Sequence, residues 1–238
     1  MVKKSIIAPF SYTVCPVHQQ RSGWLTVLTI QAELEERLRD DLPALGIVPD
    51  SEQTAALVRF LYLLDKWNRV FNLTAIGDVE DMVALHVLDS LSALPYLQGI
   101  SILDVGTGAG LPGIPLALVE ERRQFALLDS GGKKARFVKH AVGELGIDNV
   151  TVVRSRVEDY DPADAFDTVI CRAFTSLGDF VRRCGALAAS TGRLVAMKGR
   201  FPERELKEVP AEWQVQETTA VEIPGLSAKR HIVVLQRK

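Results

Sequence analysis

Six short apolar runs, at 102–105, 125–128, 150–153, 168–171, 194–197 and 232–235, alternate with amphipathic stretches once the chain has passed Gly99. Short apolar runs separated by helical stretches make a mostly parallel sheet whose two faces are covered by helices. The pattern defines an α/β fold class and also a place to look. Ligands of such sheets sit outside the carboxyl ends of the strands, near the point where strand order reverses. Residues that directly follow each run are therefore the first candidates for function.

Before Gly99 the pattern is helical. Leu57, Phe60, Leu61, Leu64, Trp67 and Phe71 keep to one face of a 3.6-residue period, which predicts a packing helix. A second helix is expected over 78–94, stopped by Pro95. The chain is thus divided into a flexible leader at 1–30, a helical extension at 31–98 that packs on the core, and an α/β core at 99–238. With 238 residues and 47% hydrophobic content there is enough apolar material for a substantial core.

The 28 basic and 30 acidic residues give a net charge of −2, so a polyanionic partner needs a local basic surface. Residues 1–32 hold Lys3, Lys4 and Arg21 and no acid. The remaining 25 basic and 30 acidic residues leave −5 for residues 33–238. An acid-free leader raises the question of an organellar transit peptide, but Pro9 and Pro16 interrupt any amphipathic helix and arginine is scarce. A tail, or residues upstream of the true start, is the preferred reading. Cys15, Cys171 and Cys184 make neither a metal-ligand spacing nor an even disulfide framework, so no metal site is expected and the compartment is expected to be the cytoplasm. No apolar run reaches membrane-helix length, so no membrane contact is expected.

The first run passes into Asp104-Val105-Gly106-Thr107-Gly108-Ala109-Gly110-Leu111-Pro112-Gly113. Glycines allow a tight turn and close approach of backbone to ligand, and a helix starting after Pro112 directs free N–H groups at the same place. A nicotinamide fingerprint needs glycine where Leu111 stands, so Gly106, Gly108 and Gly110, with Asp104 two residues ahead of Gly106, favour a nucleoside ligand without a pyrophosphate. S-adenosylmethionine fits that description. Asp129 ends the second run nineteen residues after Gly110, where a carboxylate accepts hydrogen bonds from ribose hydroxyls or, alternatively, caps the next helix. After the third run, Val157 is placed to lie on adenine and Glu158 to read its edge; a solvated helix start is the other reading.

Taken in order, Trp67-Asn68, Phe71-Asn72-Leu73-Thr74-Ala75, His86, Leu88-Asp89-Ser90-Leu91, the glycine loop through Ile114-Pro115, Leu128-Asp129-Ser130, Ser155-Arg156-Val157-Glu158, Arg172-Ala173-Phe174, Met197-Lys198-Gly199 and Arg230-His231 closely resemble the bacterial small-subunit rRNA guanine-N7 methyltransferase family RsmG, also called glucose-inhibited division protein B. The resemblance runs from about Leu34 to the C-terminus. It implies a Rossmann-like class I methyltransferase with a seven-stranded sheet and an N-terminal helical extension. It also implies S-adenosylmethionine as donor, and 16S rRNA or small-subunit ribonucleoprotein as acceptor. Donor-binding positions carry over to Gly106, Leu111, Val157, Glu158 and Arg172, with Asp129 at the ribose position and Ser130 beside it. Gly131 departs from the pattern, standing where an apolar residue is more usual.

The residues also speak to the atom methylated. The chain lacks the Asn/Asp-Pro-Pro-aromatic loop of exocyclic-amine methylation, and Cys171 is not placed as the nucleophile that pyrimidine-carbon methylation needs. Guanine N7 offers an in-plane lone pair and carries no proton, so no general base is required. Arg172 and Lys198 are then candidates for positioning rather than proton transfer. His86, Asp89 and Ser90 fall at a spacing more suited to a polar packing patch that supports the donor site than to a hydrolytic relay.

From Lys133 to His140 the chain holds Lys133, Lys134, Arg136 and Lys139 and no acid, and Arg172, Lys198, Arg200 and Arg230 sit at the same expected strand edge. They are the candidate RNA contacts, with solvated charge as the plainer reading. Phe174 and Phe201 are candidate stacking residues beside them, or core. Two other functions compete: methylation of a small molecule, which calls for a closed apolar pocket, and a nucleoside-binding regulatory module without chemistry. A monomer is expected.

Overall fold

A computed structural model describes residues 18–172, 174 and 176–238, with side chains from Thr29 onward. Cys15, most of the leader, and Ala173 of the Arg172-Ala173-Phe174 motif lie outside the described residues. Helix α1 (His18–Asp41) runs across the 30/31 boundary placed from the sequence. Helix α2 (Ser51–Phe71) follows, its start fixed by a capping box in which the Asp50 carboxylate accepts from the Gln53 amide at 2.8 Å while the Gln53 side chain accepts from the Asp50 amide. It ends at Asn72, a left-handed residue with φ 50°.

The second expected helix differs from its sequence outline. α3 (Val79–Met82) passes into a π-helical turn at Val83–Leu88 and then α4 (Asp89–Leu91). Pro95 sits inside a separate 3-10 turn, Leu94–Tyr96, instead of ending an α-helix. A π turn widens the helix by one residue and is found most often at functional sites.

The sheet has seven strands in the order β3-β2-β1-β4-β5-β7-β6. β1 (Ser101–Val105), β2 (Gln124–Leu128), β3 (Val150–Val153), β4 (Phe166–Cys171) and β5 (Ala188–Lys198) pair in parallel. β7 (Arg230–Arg237) runs antiparallel to β5, and β6 (Trp213–Val221) antiparallel to β7 at the edge. Between the strands lie α5 (Gly113–Val119), α6 (Gly132–Leu145), α7 (Leu177–Cys184) and the short α8 (Glu203–Leu206).

The interior strands read as continuous apolar runs because consecutive side chains point to opposite faces and both faces are covered. Ile102, Phe125, Leu127 and Ile170 join the cluster made with α2, α5 and α6. Their neighbours Leu103, Ala126, Leu128 and Val169 join the cluster on the other face, with Phe180 and Val181 of α7. The helical extension is thus part of one core face: Leu57, Leu61 and Leu64 are fully buried in it. Because β7 is antiparallel, Arg230 opens at the same edge where β5 ends, with His231 opposite Lys198.

Candidate functional site

The loop after β1 is built from three left-handed glycines, Gly106, Gly108 and Gly110, at φ 72°, 61° and 80°. The amides of Gly106 and Thr107 both donate to the Leu128 carbonyl, at 2.8 and 3.0 Å, which ties the loop to the end of β2. The glycines serve different ends. A Cβ on Gly110 would lie 2.5 Å from Ile114 Cδ1, so that glycine permits packing. Nothing stands within 4 Å of a Cβ on Gly106, which borders a cavity of about 270 Å³. Leu111 buries its side chain in the core and commits its amide to the Thr107 carbonyl at 2.8 Å.

Asp104 reaches across the base of the loop, where Oδ2 accepts from the Gly113 amide at 2.9 Å. Burial pushes its pKa up to about 6, against the Thr107 hydroxyl, the Gly113 amide and the charge of Arg172. Its Oδ1 and the Thr107 Oγ1 are buried and make no hydrogen bond of normal geometry, although the hydroxyl is near enough to act on the carboxylate.

Asp129, Ser130, Val157, Glu158 and Phe174 line the same cavity as Gly106. The Asp129 carboxylate accepts from the Gly108 amide at 2.9 Å and the Gly131 amide at 2.7 Å, so it pins the glycine loop and the start of α6 together. Each oxygen retains a lone pair for a further donor. Gly131 has a local reason: a Cβ there would lie 2.9 Å from Asp129 Oδ1. Glu158, at the cavity rim, pairs with Arg183 at 2.8 Å, both half-exposed. An opening beside Gly106, a carboxylate with free lone pairs, an apolar Val157 wall and unpartnered polar atoms under the loop form a site that fits S-adenosylmethionine.

Arg172 does not border that cavity. It faces a second one, of about 320 Å³, with Ile76, Leu85, His86, Asp89, Met197, Lys198, Arg230 and Ile232. The two cavities flank the exit of β4, Arg172 facing one and Phe174 the other. Asp89, 6% exposed, holds both arginines: Oδ2 accepts from Arg172 Nη1 at 3.2 Å and Oδ1 from Arg230 Nε at 3.0 Å. Arg172 Nη1 also donates to the Leu85 carbonyl in the π turn, at 3.2 Å.

His86, Asp89 and Ser90 form no relay. His86 Nε2 meets the Thr74 hydroxyl at 2.9 Å and Nδ1 the Leu85 carbonyl at 3.0 Å. The Leu85 carbonyl can only accept, so neutral His86 carries its proton on Nδ1, and Nε2 accepts from the Thr74 hydroxyl, whose oxygen in turn accepts from the Ile76 amide. Burial and the Arg172 charge lower the His86 pKa to about 4, with the Leu85 carbonyl opposing. Thr74 is itself placed by Asn68, whose side chain accepts from the Thr74 amide and donates to the Ile76 carbonyl. Ser90 Oγ is buried without a partner.

Lys198 turns inward. Its ammonium, on a side chain 11% exposed, meets Glu205 Oε2 at 2.7 Å and donates to the Phe174 carbonyl at 3.3 Å. Glu205 also accepts from the Leu177 amide at 2.9 Å, bracing the segment between β4 and α7. Thr74 stood in the sequence only as part of the Phe71-Asn72-Leu73-Thr74-Ala75 motif, with no role assigned to it, and Glu205 has no local signature at all. Lys133, Arg136, Lys139 and Arg200 are exposed and, among the described residues, make no ion pair closer than 4 Å. Lys133 stands at the start of α6 and Arg200 just beyond β5, both on the carboxyl edge. Cys171 is buried, and burial raises its pKa well above the ordinary thiol value, in keeping with a core residue.

A family model described as rRNA small subunit methyltransferase G (GidB) matches residues 53–233. Ribosomal RNA small subunit methyltransferase G of Marinobacter nauticus is 46% identical over 201 residues, covering 84% of this chain and 94% of the relative. Its counterpart in Nitrosococcus oceani is 48% identical over 202 residues, covering 85% and 94%. Among solved structures, the glycopeptide N-methyltransferase MtfA, complexed with S-adenosyl-L-homocysteine, superposes with a TM-score of 0.57 at 8% identity over 64% of this chain and 87% of that one, a likeness of fold. With a match over most of its length and relatives at this identity, the chain belongs to the rRNA small subunit methyltransferase G (GidB) family.

Proposed function

We propose that the protein is an S-adenosylmethionine-dependent methyltransferase that modifies N7 of a guanosine in 16S rRNA. The observation that carries this reading is the pair of cavities flanking the exit of β4, one open beside the glycine loop and one held by Arg172, Arg230 and a buried Asp89. Membership of the family supplies the acceptor class.

S-adenosylmethionine supplies a methyl group on a sulfonium, which a lone pair can take directly. Gly106 leaves room for the donor, Asp129 and Ser130 take its ribose, Val157 and Phe174 wall its base, and Glu158 stands at the rim. Asp104 and Thr107 offer the loop's unpartnered polar atoms. Among the described residues on the acceptor side no group is disposed as a base: both His86 nitrogens are engaged, and both Asp89 oxygens hold arginines. That suits an acceptor with no proton to lose. The remaining work is orientation, for which a half-buried cavity with fixed cations is adapted. Arg172 and Arg230 also meet the RNA, with Lys198 positioned behind them.

The target base enters from a splayed or single-stranded segment, since RNA bases are read most readily where they are unstacked. Lys133, Arg136, Lys139 and Arg200 attract the backbone. The enzyme works as a cytoplasmic monomer on naked rRNA or small-subunit ribonucleoprotein; among the described residues no helix is long and apolar enough to cross a membrane. The test is incubation with labelled S-adenosylmethionine and small-subunit rRNA, followed by mass mapping. A single 7-methylguanosine is expected; label in another base, or only in metabolites, overturns the reading.

A further inference from the structure

We propose that Phe201, with His231 beneath it, is a stacking site for an unpaired nucleobase adjoining the methylated guanosine. The proposal rests on the RNA reading above and goes beyond it, because neither residue lines the donor or acceptor cavity.

Phe201 is 54% exposed. Among the described side chains every other Phe, Tyr and Trp is at least partly buried. A ring left in water forgoes on the order of 1–2 kcal/mol of burial, so its position calls for an explanation. The ring is held firmly: Pro202 after it is buried, α8 begins at Glu203, and the ring meets His231 in a T-shaped contact at 5.7 Å and 70°. In a T-shaped pair at least one face of each ring is left uncovered by the other, and more than half of Phe201 is open to solvent.

Location selects the occupant. Phe201 lies two residues beyond Gly199, and His231 directly follows Arg230; both Gly199 and Arg230 line the acceptor cavity. The aromatic pair therefore stands on the cavity rim, beside exposed Arg200. His231 is opposite Lys198 in the sheet, which anchors the pair to β5 and β7. A guanine drawn into the cavity breaks its stacking with a neighbour, and an open aromatic face beside a free cation recovers that contact: the ring takes the base and the guanidinium the phosphate. An apolar protein partner would be poorly served by a single ring among cations.

The test measures dissociation constants for a small-subunit rRNA transcript at several salt concentrations with wild type, Phe201→Ala, Phe201→Trp, Phe201→Leu and Arg200→Ala. Donor affinity by calorimetry reports whether each variant is folded. Phe201→Ala should weaken RNA binding about tenfold with an unchanged salt slope, Trp should restore it and Leu should not. Arg200→Ala should lower the slope by about one. Full affinity in the Ala variant, or rescue by Leu as good as by Trp, overturns the proposal. So does a defect seen only with ribonucleoprotein particles and not with the transcript, which would assign the ring to a protein contact. Wild-type protein that binds the transcript but methylates neither it nor small-subunit particles would count against the proposed function alone, since stacking is read here from binding.

Discussion

Asp89 and Arg230, 141 positions apart in the chain, meet through a 3.0 Å contact between Oδ1 and Nε, and the other oxygen of the same carboxylate holds Arg172 at 3.2 Å. One buried acid from the helical extension thus sets two cations from separate strands of the α/β core, Arg172 at the exit of β4 and Arg230 at the start of β7. Asp89→Asn keeps the shape and removes the charge, leaving two arginines close together with no counter-ion. Stability should fall by roughly 2 kcal/mol, less than for a fully buried pair because the arginines are about a quarter exposed. The turnover number with rRNA should fall at least tenfold while donor affinity stays within twofold. Urea melts, single-turnover rates and calorimetry check the three parts.

His86 and Asp104 oppose each other in acid. His86 has a folded pKa near 4 against an ordinary 6.5, so its neutral form is favoured by folding; that stabilisation is complete above pH 6.5 and is lost as pH falls toward 4. Asp104 has a folded pKa near 6 against 3.8, so its protonated form is favoured; stability from this group is complete below 3.8 and is lost as pH rises through 6. Each amounts to about 3 kcal/mol at the limit, with opposite sign across nearly the same window. Asp104→Asn, which can still accept from the Gly113 amide, should therefore steepen acid destabilisation between pH 6.5 and 4.5 and stabilise the protein at pH 7. His86→Gln should do the reverse on the acid side. Urea melts at these pH values decide it; parallel curves for all three proteins refute the assignment.

Gly106 and Gly110 separate donor binding from stability. Alanine at Gly106 must hold φ near 72°, at a cost of about 1 kcal/mol, and projects into the open donor cavity. Donor affinity should drop at least tenfold with a small change in melting temperature, and Gly106→Asp should abolish binding. Alanine at Gly110 meets Ile114 at 2.5 Å as well as a left-handed backbone, so about 2–3 kcal/mol of stability should be lost. Calorimetric titration beside thermal melts distinguishes the two.

What could be read from the sequence followed from how local the signal was. Five of the six legible strands are buried on both faces, which writes each as an apolar run; β3, at one edge of the sheet, is only partly buried and was legible from its three valines. β6 was not: it is an edge strand with mostly exposed positions and a register shift between Val215 and Glu217, so it shows neither a run nor a clean alternation. The glycine loop was legible from spacing alone. The π turn at Val83–Leu88 has no residue signature, and Pro95 suggested a later helix end than Leu91. Arg172 and Lys198 were visible as cations at strand ends, but not their fixed partners: Asp89 comes from 83 residues away, and Glu205, though only a short stretch beyond Lys198, is turned back onto it by α8 at no recognisable spacing.

Lys198 and Arg136 carry the same charge in the sequence and different duties in the fold. Arg136 is exposed on α6, so Arg136→Ala should lower the salt slope of rRNA binding by about one and weaken binding evenly across sequences. Lys198 is neutralised by Glu205 at 2.7 Å and braces the Phe174 carbonyl. Lys198→Ala should leave the salt slope unchanged and lower the turnover number, because the segment that separates the two cavities loses its support. The double variant Lys198→Ala, Glu205→Ala should be less impaired than the sum of the singles, since the second change removes the acid stranded by the first. Filter binding across a salt series, set beside single-turnover rates, tests both; a reduced slope in Lys198→Ala would place that ammonium on the RNA instead.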